Sequence, residues 1–225
     1  MGDKIERMPS GIQGLDAMIE GGFPFPSTIL VAGPAGTGKT TFSMQFLCEG
    51  ARNGEKCLYL STYSESIEWM LKFVSRYEFI NKNYFGKAIT YVDLGAMIQE
   101  AGGKEILKTI EGEVMRTAPK RVVIDPMTVL ADRLGGDYRS FLYDLATTMK
   151  NWQSVTILTG EIVPESIYQD VLAYISDGII LLYNDLEGAK RKKYLEVLKM
   201  RGTAHTSGKH RFDITSGGVR VYPVE

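Results

Sequence analysis

A glycine-rich segment between an apolar strand pattern and a helical pattern most strongly constrains how this chain can fold. Residues 33–40 read Gly-Pro-Ala-Gly-Thr-Gly-Lys-Thr and fit G-x-x-x-x-G-K-[S/T] without a gap. Residues 28–32 before it are short and apolar, and residues 39–52 after it carry apolar side chains at helical spacing. Such a loop lets backbone N–H groups converge on phosphate oxygens at the positive end of a helix. The pattern therefore predicts a nucleotide phosphate site on a strand–loop–helix unit.

The residue types in and beyond this loop predict distinct roles. Lys39 is expected to reach the β- and γ-phosphates and assist catalysis, and the Thr40 hydroxyl is expected to ligate Mg²⁺. Asp125 follows the apolar segment 121–124 at the sheet edge where ligands bind, about 85 residues after the loop, and is expected to hold Mg²⁺ through water. Taken alone, such an Asp is more often a turn or cap residue. The residues predicted to bind the nucleotide are Gly33, Pro34, Ala35, Gly36, Thr37, Gly38, Lys39, Thr40 and Thr41.

Short apolar segments alternate with amphipathic helical patterns along most of the chain. Strands are predicted at residues 28–32, 56–62, 88–92, 121–124 and 155–158, and helices at 39–52, 65–77, 106–114 and 141–149. This alternation predicts an α/β fold with a mainly parallel central sheet flanked by helices. Segments 178–183, 193–200 and 219–222 predict antiparallel strands added at the C-terminal end. The length of 225 residues fits a single domain over residues 1–225.

Composition and charge argue against several classes of protein. The 26 basic and 27 acidic residues give a net charge of −1, so no overall field attracts nucleic acid or an anionic membrane. The apolar runs are strand-sized, which predicts no membrane segment, and residues 1–8 contain no signal-peptide core. Two cysteines, Cys48 and Cys57, make neither a disulfide framework nor a metal site. We therefore expect a cytoplasmic protein for which nucleic acid is not a partner.

With these surroundings, the chain resembles the KaiC-like branch of the RecA-type ATPases. The resemblance is carried, in the family's order, by residues 10–22, the loop 33–41, the strand ending at Asp125, residues 156–161, 176–180, 199–205 and 212–215. It implies one RecA-like ATPase domain, often assembled as a ring. By the resemblance, the chain binds ATP with Mg²⁺ and acts as a homo-oligomer, a hexameric ring.

The stretch Lys-Met-Arg-Gly-Thr-Ala-His at residues 199–205 adds a second group of candidates. Lys199 and Arg201 are two apart on a predicted strand, so both point to one face and repel unless an anion lies near. A solvated edge strand is an equally good interpretation from sequence alone. The resemblance implies instead that both side chains reach the γ-phosphate of the neighbouring subunit's nucleotide, with Thr203 and His205 nearer the nucleoside. His210 matches nothing in the family pattern and is predicted to be an exposed loop residue.

The end of the second predicted strand departs from the family pattern. The family usually carries one or two glutamates there that polarise the attacking water, but Tyr63 and Ser64 occupy those positions when aligned without gaps. Glu65 lies one or two positions late. It either faces the water or is an N-terminal acid of the next helix, with Ser64 or Thr62 as the cap. Glu161, after the fifth strand, occupies the usual polar sensor position and is the less favoured catalytic candidate.

Three functions remain open from the sequence. The first is a slow ATPase or ATP-dependent switch with nucleotide between subunits. The second is a nucleotide-binding module with little hydrolysis that controls assembly or an unknown regulatory protein partner, motivated by Tyr63 and Ser64. The third is a recombinase-like DNA-binding protein, opposed by the net charge and by the short segment 162–175. The basic run 190–193 follows Asp185 and Glu187 and is interpreted as a solvated hairpin turn.

Overall fold

A central sheet of nine strands organises residues 5–224, the part of the chain that the computed structural model describes. The strands are β1 (Arg7–Met8), β2 (Phe23–Pro24), β3 (Ser27–Ala32), β4 (Cys57–Ser61), β5 (Ile89–Asp93), β6 (Arg121–Asp125), β7 (Val155–Gly160), β8 (Gly178–Glu187), β9 (Lys190–Met200), β10 (Lys209–Thr215) and β11 (Gly218–Tyr222). The helices are α1 (Leu15–Met18), α2 (Lys39–Arg52), α3 (Ile67–Val74), α4 (Gly95–Glu100), α5 (Gly103–Thr117), α6 (Met127–Leu134), α7 (Tyr138–Met149) and α8 (Val171–Ile175). Short 3₁₀ turns lie at Lys82–Tyr84, Gly135–Asp137 and Pro164–Gln169. Among the described residues, no helix has both the length and the apolar character needed to cross a membrane.

The order of the sheet is β11-β10-β9-β8-β3-β7-β6-β4-β5, and β1 and β2 pair separately. The strands from β8 to β5 run parallel, whereas β8, β9, β10 and β11 pair with one another antiparallel. The predicted fold class is therefore confirmed: a mainly parallel sheet is flanked by helices and extended by antiparallel strands. The carboxyl ends of β3, β4, β6 and β7 meet at one edge of this sheet.

Two apolar cores, one on each face of the sheet, hold this edge in place. Alternate residues of β3 belong to different cores: Ile29 and Val31 pack into one, and Leu30 and Ala32 pack into the other. Every residue of β3 is buried, as expected for a central parallel strand covered on both faces. The phosphate-loop segment therefore starts from a strand that is buried along its whole length.

The start of helix α3 differs from the sequence prediction. The cap is Ser66, whose hydroxyl accepts a hydrogen bond from the Trp69 N–H at 3.3 Å, so the helix begins at Ile67. The predicted caps were wrong: the Thr62 hydroxyl donates to the Pro126 carbonyl at 2.5 Å, and Ser64 lies before the helix. Glu65 also precedes the cap, so it is not an acid of the first helical turn.

The region around His210 also differs from the prediction of an exposed loop. Residues 209–215 form strand β10, and His210 is only 2% exposed. Its Nδ1 accepts a hydrogen bond from the Val224 N–H at 2.9 Å, and its Nε2 lies 3.1 Å from the Ser207 carbonyl. His210 is thus a buried, hydrogen-bonded structural residue.

Candidate nucleotide-binding site

The segment from Gly33 to Gly38 links the end of β3 to the start of α2, and glycine is required along its path. Gly36 and Gly38 have φ angles of +77° and +106°, in the left-handed region that disfavours a Cβ. A Cβ on Gly33 would lie 2.3 Å from the carbonyl oxygen of Leu182. The predicted phosphate loop therefore follows a backbone path that needs glycine, as its motif implies.

The side chains of the loop fold onto its own backbone. The Thr37 hydroxyl donates to the Pro34 carbonyl at 2.8 Å. The buried Lys39 amine donates to the carbonyls of Gly33 and Pro34, at 2.8 and 3.1 Å, and lies 3.7 Å from the Glu161 carboxylate. Burial lowers the pKa of Lys39, and the nearby carboxylates of Glu161 and Asp125 partly oppose that shift. A buried ammonium beside a helix N-terminus makes this position favourable for an anion.

Asp125 is the last residue of β6, and its carboxylate accepts hydrogen bonds from three hydroxyl groups of other elements. Its Oδ2 accepts from the Thr40 hydroxyl at 2.9 Å and from the Tyr59 hydroxyl at 2.6 Å, and its Oδ1 accepts from Thr159. The two predicted metal ligands, Thr40 and Asp125, are thus in direct contact. A carboxylate and a hydroxyl are the oxygen donors that suit Mg²⁺, so these residues fit the predicted ion.

Tyr59 and Thr159 are site residues that sequence reasoning missed. Tyr59 lies in β4 and is buried, and its ring stacks on Tyr91 with 5.3 Å between centroids. Burial, followed by the charge of Asp125, raises the pKa of Tyr59 well above its usual value, so the hydroxyl remains a donor. Thr159 lies at the corresponding end of β7, beside β6. Their common signal is a polar side chain in a strand that pairs with β6, the strand that ends at Asp125.

A cleft of about 450 Å³ opens beside the loop and brings the predicted catalytic residues together. Lys39, Thr40, Thr41 and Asp125 line it, and so do both candidate acids, Glu65 and Glu161. Burial raises the pKa of Glu65, and the Asp125 and Asp93 carboxylates add to that rise. The Glu65 carbonyl accepts from the Tyr91 hydroxyl at 2.6 Å, which ties this segment to β5. Glu65 therefore lies beside the cleft and not in the helix.

The two residues predicted to occupy the family's acid positions differ in their surroundings. Tyr63 is 66% exposed and lines the cleft, so its ring has room to meet a ligand. Ser64 lies outside that lining and packs closely against Gly95, where an added Cβ would be 2.3 Å from the Ser64 nitrogen. Neither side chain supplies a carboxylate.

Lys199 and Arg201 lie at the other edge of the sheet. Lys199 pairs with Ile179 at the start of β8, and both basic residues line a separate, larger cavity of about 700 Å³. The Lys199 amine donates to the Ser176 carbonyl at 2.6 Å. Arg201 forms a salt bridge of 3.0 Å with Asp177, which supplies the anion that two neighbouring cations require. The phosphate-loop cleft is smaller, but it holds the nucleotide motif.

The pKa of Lys199 is lowered, first by burial and then by the positive charge of Arg201. The Asp177 carboxylate partly opposes that shift. The next two predicted residues follow in an irregular segment. Thr203 accepts a hydrogen bond from Arg7 at 2.5 Å, and the His205 Nδ1 lies 3.4 Å from the Thr206 carbonyl. Lys199 and Arg201 therefore lie at the edge opposite the phosphate loop, and Thr203 and His205 follow them in the irregular segment after β9.

The basic run 190–193 does not form the predicted solvated turn. The turn is Gly188 and Ala189, and the run begins strand β9. Lys193 extends over the phosphate loop and donates to the Gly36 carbonyl at 2.6 Å. Burial lowers the pKa of this amine. Lys193 is thus a second cation at the loop, and the sequence had pointed to it only as part of a charged run.

Comparison with known proteins agrees with this geometry. Residues 8–225 match the family model described as "ATPase: KaiC". The chain belongs to the KaiC ATPase family. The "Circadian clock oscillator protein KaiC" of Synechococcus elongatus is 30% identical, and the match covers 98% of this chain and 45% of that protein. The protein of the same name from Parathermosynechococcus lividus is 29% identical, over 98% and 43%. The chain thus spans less than half the length of these curated relatives.

A solved structure extends the agreement to the fold. The crystal structure of a KaiC-like protein from the hyperthermophilic archaeon Pyrococcus horikoshii OT3 matches with a TM-score of 0.86 and 31% sequence identity. The match covers 98% of this chain and 100% of that chain. The resemblance drawn from the sequence is confirmed: this is an ATP-binding, KaiC-like protein with a P-loop and a RecA-like fold.

Proposed function

We propose that this KaiC-family chain is a slow, Mg²⁺-dependent ATPase or ATP-dependent switch. It acts as one domain over residues 1–225 in a homo-oligomer that holds nucleotide between subunits. The observation that carries the proposal is the 2.9 Å contact between Thr40 and Asp125 beneath the loop, with Lys39 and Glu65 lining the same cleft. The nucleotide phosphates, the metal and the attacking water would then all lie in this one cleft.

Binding rests on residues 33–41 and on the two metal ligands. The loop N–H groups and Lys39 bind the phosphates, and Thr40 with Asp125 holds Mg²⁺. Bound Mg²⁺ supplies charge neutralisation to the phosphate oxygens. Tyr59 and Thr159 orient the Asp125 carboxylate, because each donates to one of its oxygens.

Hydrolysis rests on an acid that positions water, and Glu65 takes this role. Its carboxyl borders the cleft and its pKa is raised by burial and by neighbouring acids, which brings a carboxylate base closer to neutrality. Glu161 lies 3.7 Å from the Lys39 amine, so its carboxylate pairs with that ammonium. Turnover is slow because Tyr63 and Ser64 supply no second acid.

The oligomer completes the site. Lys199 and Arg201 lie at the edge of the sheet opposite the loop, so they serve a nucleotide held by the neighbouring subunit. Thr203 and His205 follow toward its nucleoside. A closed ring of identical head-to-tail contacts gives every loop such a neighbour, and a hexamer is the ring that the family resemblance implies.

The test is phosphate release at saturating Mg-ATP from the parent protein, Lys39→Ala and Glu65→Gln. We expect measurable release from the parent, release at background from Lys39→Ala, and retained Mg-ATP binding with slower release from Glu65→Gln. Parent protein that releases no more phosphate than Lys39→Ala would contradict the enzymatic half of the proposal.

A second candidate keeps the nucleotide and omits the chemistry. It is favoured by Tyr63 and Ser64 at the family's acid positions, since Tyr63 is exposed at the cleft and Ser64 packs away against Gly95. ATP occupancy would then control assembly or a regulatory protein partner. This function requires tight Mg-ATP binding and nucleotide-dependent assembly with negligible turnover, and rapid ADP formation by purified protein excludes it.

A further inference from the structure

Strand β1 near the N-terminus contacts the segment that follows β9, far away in sequence. The Arg7 guanidinium donates from Nη1 to the Thr203 hydroxyl at 2.5 Å and from Nη2 to the Gly202 carbonyl at 3.0 Å. Its Nη2 also pairs with the Glu20 carboxylate at 2.5 Å. The Arg7 side chain is only 14% exposed, whereas Glu20 is 47% exposed. One partly buried guanidinium therefore joins three separate parts of the chain.

The segment held by Arg7 lacks regular secondary structure. Residues 203–207 contain no helix or strand, and Gly202 has a φ of +64° that favours glycine. Its backbone is tied at three further points: the Thr203 N–H donates to the Met200 carbonyl at 3.2 Å, the Thr206 N–H donates to the Met18 carbonyl at 2.9 Å, and the Ser207 carbonyl lies 3.1 Å from Nε2 of His210. A segment outside helices and strands opens more readily than regular structure. Arg7 is the side chain from outside the segment that binds both a backbone carbonyl and a hydroxyl at its start.

We propose that Arg7 is a positioning residue for the trans-acting segment 201–205. This inference rests on the proposed function, in which that segment serves the nucleotide of the neighbouring subunit. Arg7 does not touch that nucleotide. It sets the path of the backbone between Arg201 and His205, and small displacements of groups around a reacting centre reduce rates strongly.

The chemistry of the contact requires arginine. A guanidinium presents five donors in a rigid fork and can serve Thr203, Gly202 and Glu20 at once. A lysine carries one compact ammonium on a flexible stem and cannot hold three acceptors in this geometry. Arg7→Lys thus keeps the charge beside Glu20 while weakening the hold on the segment, and it separates positioning from simple charge pairing.

The experiment compares Arg7→Met and Arg7→Lys with a matched control, Arg116→Met. Arg116 also forms a 2.5 Å salt bridge, with Glu113, but on the exposed surface of α5. Phosphate release and Mg-ATP-dependent assembly, followed by sedimentation velocity, are measured below the melting temperature of each variant. We expect Arg7→Met to lower the rate of phosphate release and the extent of Mg-ATP-dependent assembly by about tenfold each. Arg7→Lys should lower both quantities by less, and Arg116→Met should match the parent. Arg7→Lys replaces Arg7→Met if the latter does not fold.

Mixing with Lys39→Ala subunits tests the trans role itself. A Lys39→Ala subunit has a defective loop but an intact Arg7, so it presents an ordered segment to an Arg7→Met neighbour. Phosphate release from the mixture should therefore exceed the mean of the two separate proteins several-fold. A purely structural defect within the Arg7→Met chain gives no such gain. Adding Lys39→Ala subunits should likewise lower the Mg-ATP concentration at which the Arg7→Met protein assembles.

The outcomes separate this inference from the proposed function. If the parent hydrolyses ATP or assembles with it, and Arg7→Met does so equally well, the positioning role is overturned and the function stands. If Arg7→Met is impaired and gains nothing from Lys39→Ala subunits, the positioning role is again overturned. If the parent neither hydrolyses nor assembles, the proposed function fails and the role of Arg7 fails with it.

Discussion

The two edges of the sheet differ in how their polar residues are held. At the phosphate-loop edge, Asp125 is buried and accepts from Thr40, Tyr59 and Thr159, so side chains from four elements fix one another. At the opposite edge, Arg201 is exposed and pairs with a single carboxylate, Asp177. All the hydrogen-bond partners of the first group belong to one chain.

Under the proposed function, this difference separates what one subunit does from what an assembly does. A preorganised, buried set of donors and acceptors binds a ligand without further ordering. An exposed set held by few bonds gains its full effect when a partner surface covers it and excludes water. Substitutions at the loop edge should thus act within a chain, and those at the other edge should act on the neighbour.

The largest effect is expected at the loop edge, from Lys39→Ala. The buried amine lies 2.8 Å from the Gly33 carbonyl of the loop, and its loss removes both phosphate binding and charge stabilisation. Phosphate release should fall to background, and the affinity for Mg-ATP should fall with it. Lys104→Ala, at an exposed lysine of α5, is the control and should match the parent. Retained turnover in Lys39→Ala would place the chemistry elsewhere.

The next largest effect is expected from Arg201→Met at the opposite edge. A cation supplied to the γ-phosphate from a neighbouring chain contributes about 10³-fold or more to turnover. Mg-ATP binding measured under conditions that keep the protein monomeric should not change, since the loop is intact. Activity should return in part when Arg201→Met and Lys39→Ala subunits are mixed. Loss of nucleotide binding by monomeric Arg201→Met would contradict the division between the edges.

A smaller effect is expected from Glu65→Gln. Removal of a water-positioning base should slow phosphate release by about 10²-fold and leave Mg-ATP affinity within a few-fold. Glu161→Gln, the matched acid of the same cleft, should lose less. The raised pKa of Glu65 also has a sign to check: a base must be deprotonated, so parent turnover should fall as pH drops through a pKa above the usual 4.5. An acid limb unchanged in Glu65→Gln would exclude this role.

The sequence predicted the parts of the molecule that depend on local pattern. The phosphate loop is a continuous motif, and Asp125 was found because the carboxyl ends of parallel strands meet at one edge. Tyr59 and Thr159 were missed because their bonds to Asp125 join residues 66 and 34 positions apart. Lys193 was missed for a related reason: its reach depends on the length of the β8–β9 hairpin, which sets which residue lies over Gly36.

Two other errors had signals in the sequence. Strand β10 alternates His210, Phe212 and Ile214 with more polar residues, and this period of two predicts that His210 faces inward. The beginning of α3 depended on which serine caps it, and choosing Ser66 moves Glu65 out of the helix and toward the cleft. One local choice of cap therefore changed the interpretation of a catalytic candidate.

The smallest effect, from Tyr59→Phe, tests how far the loop edge depends on mutual hydrogen bonding. The substitution removes one donor to the buried Asp125 carboxylate and keeps the ring that stacks on Tyr91. The free energy of unfolding, measured with urea, should fall by about 1–3 kcal/mol, because a buried charged acceptor loses a partner. Phosphate release should fall only a few-fold, since Thr40 and Thr159 still hold Asp125. Tyr168→Phe, at an exposed tyrosine, is the control. An unchanged unfolding free energy would show that water replaces the Tyr59 hydroxyl, and that the loop edge is less tightly coupled than its contacts suggest.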